Sequence, residues 1–263
     1  MSDTYAIAIV VGREPPVSSH LGDRAIVHAD GRMEGYIGGS CSRDIVRRQA
    51  LDTLRTGEPR LVRITPDDVD TGDERDVITV PMHCVSEGAV EVYIEPLLPK
   101  PKLILAGMTP VAETLSEIAP ALGYNVVRFV DDDELCDVDG TAIDGLADYV
   151  DGLDADVRAR SAAIVASQGH YDDKALTAVL RHELAYVGLL ASRVRGLGVL
   201  SAVEENGIVR ERLRSVHCPA GLALGARKPA DVAIAILAQI VAANASRASA
   251  AIADAESHAT HCS

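Results

Sequence analysis

Apolar and polar positions alternate along the first third of the chain and give way to unbroken apolar runs in the second. Ala6–Val11 and Arg24–Ala29 read as strands, the second of them ending in an Asp30-Gly31 hairpin turn. Residues 42–55 predict a helix: Val46, Ala50 and Leu54 recur at four-residue spacing, flanked by Ile45 and Leu51. Gly57-Glu58-Pro59 ends it. Leu61–Ile64 predicts a short strand, residues 66–76 an acidic loop, Val77–Val80 a further apolar piece, and Val90–Ile94 an alternating final strand.

Pro96-Leu97-Leu98-Pro99-Lys100-Pro101 interrupts this rhythm with three prolines, which make a stiff linker. Beyond it Leu103–Ala106 is a short, fully apolar strand, and further strands are expected at Asn125–Val130, Ala162–Ala166 and Ala185–Leu190. Helices are expected at 111–122, 172–182, 193–204 and 230–243. Apolar strands alternating with helices imply a parallel sheet covered on both faces. The expected architecture is therefore α/β: a small N-terminal α+β domain over 1–97, a linker at 98–101, a Rossmann-like parallel-sheet domain over 102–244, and an Ala/Ser-rich tail at 245–263, expected to be frayed or disordered.

Composition narrows the function classes. Hydrophobic residues make up 48%, enough for a buried core, but aromatics are only 3%, so that core must be aliphatic. A formal net charge of −14 and the lack of stacking platforms argue against nucleic acid and against an anionic membrane. Lysine occurs only at 100, 102, 174 and 228 while Asp is abundant, the balance of a protein in concentrated salt. Residues 1–11 have no basic start or cleavage site, and no apolar run reaches membrane-spanning length, so a cytoplasmic protein is expected. Cysteines at 41, 84, 136, 218 and 262 show no paired spacing and read as reduced thiols.

The most informative turn is Tyr36-Ile37-Gly38-Gly39-Ser40-Cys41-Ser42. An apolar strand end, two glycines and a helix start leave backbone N–H groups facing outward where the helix dipole favours anions, with a thiol beside them. Gly38, Gly39, Ser40 and Cys41 thus form either an anion seat with a soft group or a plain strand-to-helix turn over a buried cysteine. Cys84, in Met82-His83-Cys84-Val85-Ser86-Glu87-Gly88, is either a second thiol converging on Cys41 or a small packed hydrophobe, the reading that spacing alone favours.

In the second domain Gly107-Met108-Thr109-Pro110-Val111-Ala112 follows a strand, and Asp131 ends the next, as in a dinucleotide fingerprint. Thr109 stands where the second glycine belongs, and Pro110 removes an N–H donor, so a Rossmann scaffold without NAD(P) is favoured over one that binds it. His170 follows a parallel strand and is a candidate proton carrier or ligand contact. Arg193 and Arg195 either grip phosphate or solvate a helix start. The loop 218–227, with Gly221 and Gly225, feeds another helix N-terminus. His258, His261 and Cys262 are either metal ligands or chance residues of a disordered tail, the second reading being favoured.

Taken together and in order, several stretches resemble the XdhC/CoxI family of accessory proteins for molybdenum hydroxylases such as xanthine dehydrogenase and carbon monoxide dehydrogenase. They are Glu14-Pro15-Pro16, Gly22-Asp23-Arg24-Ala25, Gly35 to Cys41, Met82 to Gly88 and Tyr93-Ile94-Glu95-Pro96 in the first domain. In the second they are Gly107 with Pro110-Val111-Ala112, Gln168 to Asp172, Tyr186-Val187-Gly188, Ser192-Arg193 and Pro219 to Ala226. The resemblance spans about residues 5–243 and is nearer the CoxI branch. It departs at Arg43, where many relatives carry an acid, and at Thr109.

The resemblance implies a chaperone without turnover of its own. Such a protein binds the molybdenum cofactor, helps it acquire its terminal sulfur and passes it to the apo-hydroxylase. A cysteine desulfurase would supply the sulfur. Gly38, Gly39, Ser40, Cys41, Cys84, Gly107, Asp131, His170, Gly221 and Gly225 are the cofactor-binding candidates, with no catalytic and no metal-ligating residue assigned. The aliphatic surface of two small domains is compatible with a homodimer. An NAD(P)-dependent oxidoreductase is the rival reading.

Overall fold

A computed structural model describes residues 4–66, 77–82, 88–135 and 139–259 of the chain. The acidic stretch 67–76, the turn carrying Cys84, and Cys136 and Cys262 lie outside the described residues. The chain divides into two compact units, Met1–Pro99 and Lys100–Ser263.

The first unit is built on one six-stranded sheet. Its elements are β1 (Tyr5–Glu14), β2 (Arg24–His28), β3 (Met33–Gly35), α1 (Ser40–Thr56), β4 (Arg60–Thr65), β5 (Val77–Pro81) and β6 (Ala89–Leu97). The strand order is β3-β2-β1-β6-β4-β5, antiparallel except for the parallel β4–β5 pair. Alternation works as the pattern predicts: Ala6, Ala8 and Val10 of β1 are buried while the residues between them are partly exposed. Those small side chains, with Val92 and Ile94 of β6 and Val62 and Ile64 of β4, form one aliphatic core with Ile45, Val46 and Ala50 of α1. Gly57, at φ 77°, ends α1, its N–H bonded to the Thr53 carbonyl.

The second unit contains β7 (Lys102–Ala106), α2 (Pro110–Ile118), β8 (Asn125–Val130), β9 (Thr141–Ala142), α3 (Leu146–Asp151), α4 (Ala155–Arg160) and β10 (Ala162–Val165). It continues with α5 (Asp172–Leu180), β11 (Tyr186–Leu189), α6 (Arg193–Glu205), α7 (Arg210–Leu213), β12 (Val216–His217) and α8 (Pro229–Ala259). Its six strands run in the order β12-β11-β10-β7-β8-β9 and are all parallel. This is the doubly wound Rossmann arrangement, with order reversing between β7 and β10.

A parallel strand covered on both faces needs apolar residues at successive positions, and β7 has them from Leu103 to Ala106. Leu103 and Leu105 join Val111, Leu115, Ile236 and Ile240 of α2 and α8 on one side of the sheet. Ile104 and Ala106 join Leu146, Leu176 and Val203 of α3, α5 and α6 on the other. The mixed α/β fold with a parallel Rossmann sheet is thus the one the hydrophobic pattern implies.

Two expectations need correction at the C-terminus. The last helix does not end near 243; α8 runs to Ala259, because its continuation is rich in alanine, the residue type of highest helix propensity. Within it, Pro229–Arg247 has a mean hydropathy of 1.4 and is long and apolar enough, by length and composition, to cross a membrane, so the described residues do contain such a segment. The buried stripe Ala233, Ile236, Leu237 and Ile240 of this segment packs against the sheet.

Gly107 shows how tightly β7 and β10 meet. It has φ +129°, and a Cβ there would stand 2.2 Å from the Ala166 carbonyl oxygen. Gly107→Ala is expected to cost about 1–3 kcal/mol in backbone strain alone and to lower the melting temperature by several degrees. A melting curve superimposable on the wild type would contradict this packing.

Candidate functional site

In the first unit, β3 delivers the chain through Tyr36 and buried Ile37 into two glycines that start α1. Gly38 lies at φ +126°, and a Cβ there would meet the Ser19 Oγ at 2.7 Å, so only glycine fits. Gly39 is the N-cap in extended conformation; among the described residues no side chain caps α1, and its first turn holds no acid. The first turn of a helix has N–H groups without intrahelical acceptors, and here no acid of that turn offsets the positive end of the dipole.

A second segment completes the site. The loop Pro15–Ser19 folds over the strand end: the buried Ser19 Oγ donates to the Ile37 carbonyl at 3.0 Å, and Arg13 Nη1 donates to the Ser19 carbonyl at 3.1 Å. On its other side a Cβ at Gly88 would come within 2.7 Å of the Pro16 carbonyl oxygen and of the Val17 side chain, so the loop lies directly on the backbone entering β6. Buried Ser42 turns its hydroxyl inward to donate to Met82 Sδ at 3.5 Å.

Between the loop and α1 is a cavity of about 460 Å³, walled by Ser18 and Ser19 on one side and Gly39, Ser40 and Cys41 on the other, with Met82 among its lining residues. Its volume suits a small-molecule ligand. Its chemistry combines a helix N-terminus and serine hydroxyls with the exposed Cys41 thiol and a thioether. The chemistry of such a set is suited to an anionic ligand that also carries soft atoms. Gly39, Ser40 and Cys41 are thus brought together at one cavity, while Gly38 is buried just before them and is not among its lining residues. Cys84 lies outside the described residues. The Pro15–Ser19 wall is a site element that the sequence reading missed as such; its signals are a proline- and serine-rich interruption between two strands and the Glu14-Pro15-Pro16 stretch of the family resemblance.

The candidates of the second unit sit at the carboxyl ends of the parallel strands. Gly107 touches the Ser167 backbone, so the β7 and β10 loops meet where strand order reverses. Gln168, Gly169 and His170 are exposed there, with Gln168 in the left-handed region at φ 57°. Thr109 is buried, and its Oγ1 accepts the Ala112 N–H at 3.2 Å. Pro110 has no N–H to offer. Asp131 is also engaged: its carboxylate accepts the Asp132 N–H at 3.0 Å, and it forms a capping box with Glu134. Tyr171 donates from its hydroxyl to Glu134 Oε2 at 2.7 Å, linking the β10 and β8 loops. Burial first, and Glu134 second, push that phenol above its usual range.

Gly221 and Gly225 differ from each other. Gly221 packs against α8, where a Cβ would come within 3.2 Å of the Ile236 nitrogen. Its N–H and the Tyr186 hydroxyl both donate to Gln239 Oε1, at 2.7 and 2.6 Å. Gly225 is exposed at φ +72°, with open space around it.

Comparison with known proteins adds to this geometry. Residues 2–65 match the XdhC and CoxI family, and residues 103–240 match the XdhC Rossmann domain. The uncharacterized protein YqeB of Escherichia coli (strain K12) is 28% identical over 246 residues, covering 90% of this chain. The chain spans 43% of the length of YqeB. A crystal structure of a xanthine dehydrogenase from Bacillus halodurans is 19% identical, with a TM-score of 0.46, covering 93% of this chain and 92% of that one.

Ser19→Ala removes the donor to the Ile37 carbonyl in a buried place. It is expected to lower the unfolding free energy by about 1–3 kcal/mol, whereas exposed Ser40→Ala stays close to wild type. Chemical denaturation of the two variants checks this, and equal midpoints would refute the role given to Ser19.

Proposed function

The chain belongs to the XdhC and CoxI family, and we propose that it serves as an accessory factor for a molybdenum hydroxylase of the xanthine or carbon monoxide dehydrogenase type. It binds the molybdenum cofactor in the cavity before α1, shelters it while it acquires its terminal sulfur, and passes it to the apo-hydroxylase. A cysteine desulfurase is the sulfur source. The role is that of a cofactor-binding chaperone rather than an enzyme with turnover.

The observation that carries this reading is the cavity itself. The cofactor is anionic at its phosphate and soft at its dithiolene, and when bound it supplies a pterin-held molybdenum centre to the hydroxylase. The residues present fit both ends. The first turn of α1 and its serines suit the phosphate, and Cys41 with Met82 offers soft neighbours to the sulfur-rich end. The Ser19 loop keeps the opposite wall in place and limits the access of water.

The strand order of the second unit favours a rival, an NAD(P)-dependent oxidoreductase. The local chemistry does not fit a dinucleotide. Thr109 fills the place of a glycine and takes the Ala112 N–H, Pro110 removes another donor, and Asp131 is occupied as a cap. Those are the groups that would hold the pyrophosphate and the ribose.

Anaerobically prepared cofactor is expected to bind stoichiometrically, measured by molybdenum and pterin content. Cys41→Ala should weaken it about tenfold, roughly 1.4 kcal/mol. Unchanged binding by that variant removes the proposed role of Cys41, and strong thermal stabilisation by NAD(H) would favour the rival.

A further inference from the structure

α8 has two apolar faces, and its own unit covers one of them. Between Asp231 and Arg247 the helix holds no Asp, Glu, Lys or Arg. Ala233, Ile236, Leu237 and Ile240 are buried in the core shared with the sheet and α2. On the same side Asn244 Nδ2 donates to the Tyr124 hydroxyl at 3.0 Å, and Arg247 Nη1 donates to the Leu184 carbonyl at 3.1 Å. Yet only 28% of Pro229–Arg247 is buried. Ile234 and Val241 are each 53% exposed. A helix that is apolar all round needs cover on more than one face.

The uncovered side has a regular spacing. Ile234, Ala238, Val241 and Ala245 recur at alternate steps of four and three residues, and the sequence continues the series at Ala248, Ile252 and Ala255. On a helix this spacing draws one straight seam, the a and d positions of a coiled coil, and every position in it is apolar. α8 is also long enough to use it. Its 31 residues span about 46 Å. It runs on to Ala259, well past Ile240, the end of its buried stripe among the described residues.

We propose that α8 pairs antiparallel with α8 of a second copy of this chain along this seam. A two-fold interface must be self-complementary, and the seam is. Centred near Ala243, the pairing sets Ile234 opposite Ile252 of the second copy, and Val241 opposite Ala245. The alanines in the middle let the two helices approach closely, and the isoleucines fill each end. Charge selects the direction. Exposed Lys228, whose carbonyl accepts the Val232 N–H at 3.0 Å, opens the helix, and Glu256 lies near its end. Both stand one residue after a d position, where charges flank a coiled-coil seam and set its orientation. Antiparallel helices bring Lys228 of each copy to Glu256 of the other. Parallel helices would set lysine beside lysine and glutamate beside glutamate. The opposed helix dipoles favour the same direction.

A bilayer is the poorer cover for this face. Asn244 and Arg247 tie the helix to its own unit, and a formal net charge of −14 repels anionic lipid. The pairing does not depend on the cofactor reading above, since α8 contributes no residue to the cavity of the first unit.

Sedimentation equilibrium of the full-length protein over a range of concentrations reads the association directly. The expected species is a dimer. Ile234→Asp should weaken it more than about a hundredfold, because it places a charge from each copy in the seam, while the circular dichroism spectrum stays native. Val241→Asp is the second variant should Ile234→Asp not fold. Lys228→Glu and Glu256→Lys should each weaken association about fivefold, and the two reversals combined should restore it. A monomer at every concentration, a dimer indifferent to both Asp variants, or a double reversal no better than the single ones would overturn the inference. A monomer that floats with vesicles of phosphatidylcholine and phosphatidylglycerol would assign the face to a membrane instead. Cofactor content, measured in the same variants, should stay at the wild-type level, so loss of the dimer leaves the cavity reading intact.

Discussion

The account depends on how α1 begins. A helix N-terminus normally finds a capping side chain or an acid in its first turn, because its N–H groups cost free energy when left without acceptors. α1 has neither among the described residues, and its N-cap is a glycine. The chain can start a helix this way because Gly38 adopts a conformation that other residues resist, pressed against Ser19. That same contact lays the Pro15–Ser19 loop across the helix start and makes a cavity where an open turn would otherwise stand. The positive end of α1, the Cys41 thiol and the volume for a ligand are consequences of one local arrangement.

The second unit answers the same physical question in the opposite way. α2 also begins at the end of a strand, after Gly107, but there Thr109 caps the helix and Pro110 removes a donor. The carboxylate at the end of β8 caps its own turn, and Tyr171 reaches Glu134 from the neighbouring loop. A Rossmann sheet whose switch point is filled by its own hydrogen bonds serves as a scaffold. Among the described residues, the buried polar side-chain atoms without a hydrogen bond lie further along the sheet, at Asp172 Oδ2 and Arg195 Nε in the loops after β10 and β11.

Much of this was legible in the chain because hydrophobic periodicity carries the information. The apolar run Leu103–Ala106 can only be a strand covered on both faces, and the spacing of Ile45, Val46 and Ala50 marks the buried side of α1. The short elements escaped: α3, α4, β9 and β12 are too brief for a period to show, and the alanine-rich tail reads as featureless although propensity makes it helical. At the site, the glycine pair before an amphipathic helix was visible, since the turn is local. The Ser19 wall was not, because β2 and β3 intervene before it meets Gly38. Nor was the pairing of Asp172 with Arg195, which the crossover from β10 to β11 brings about.

Hydrogen exchange on the full-length protein, with and without anaerobically prepared molybdenum cofactor, tests most directly whether the start of α1 is the seat of the ligand. The amides of residues 39–43 should gain protection when the cofactor is added, while those of 107–112 and 167–170 stay as they were. Protection confined to the Rossmann loops, with the first turn of α1 unchanged, would contradict the account.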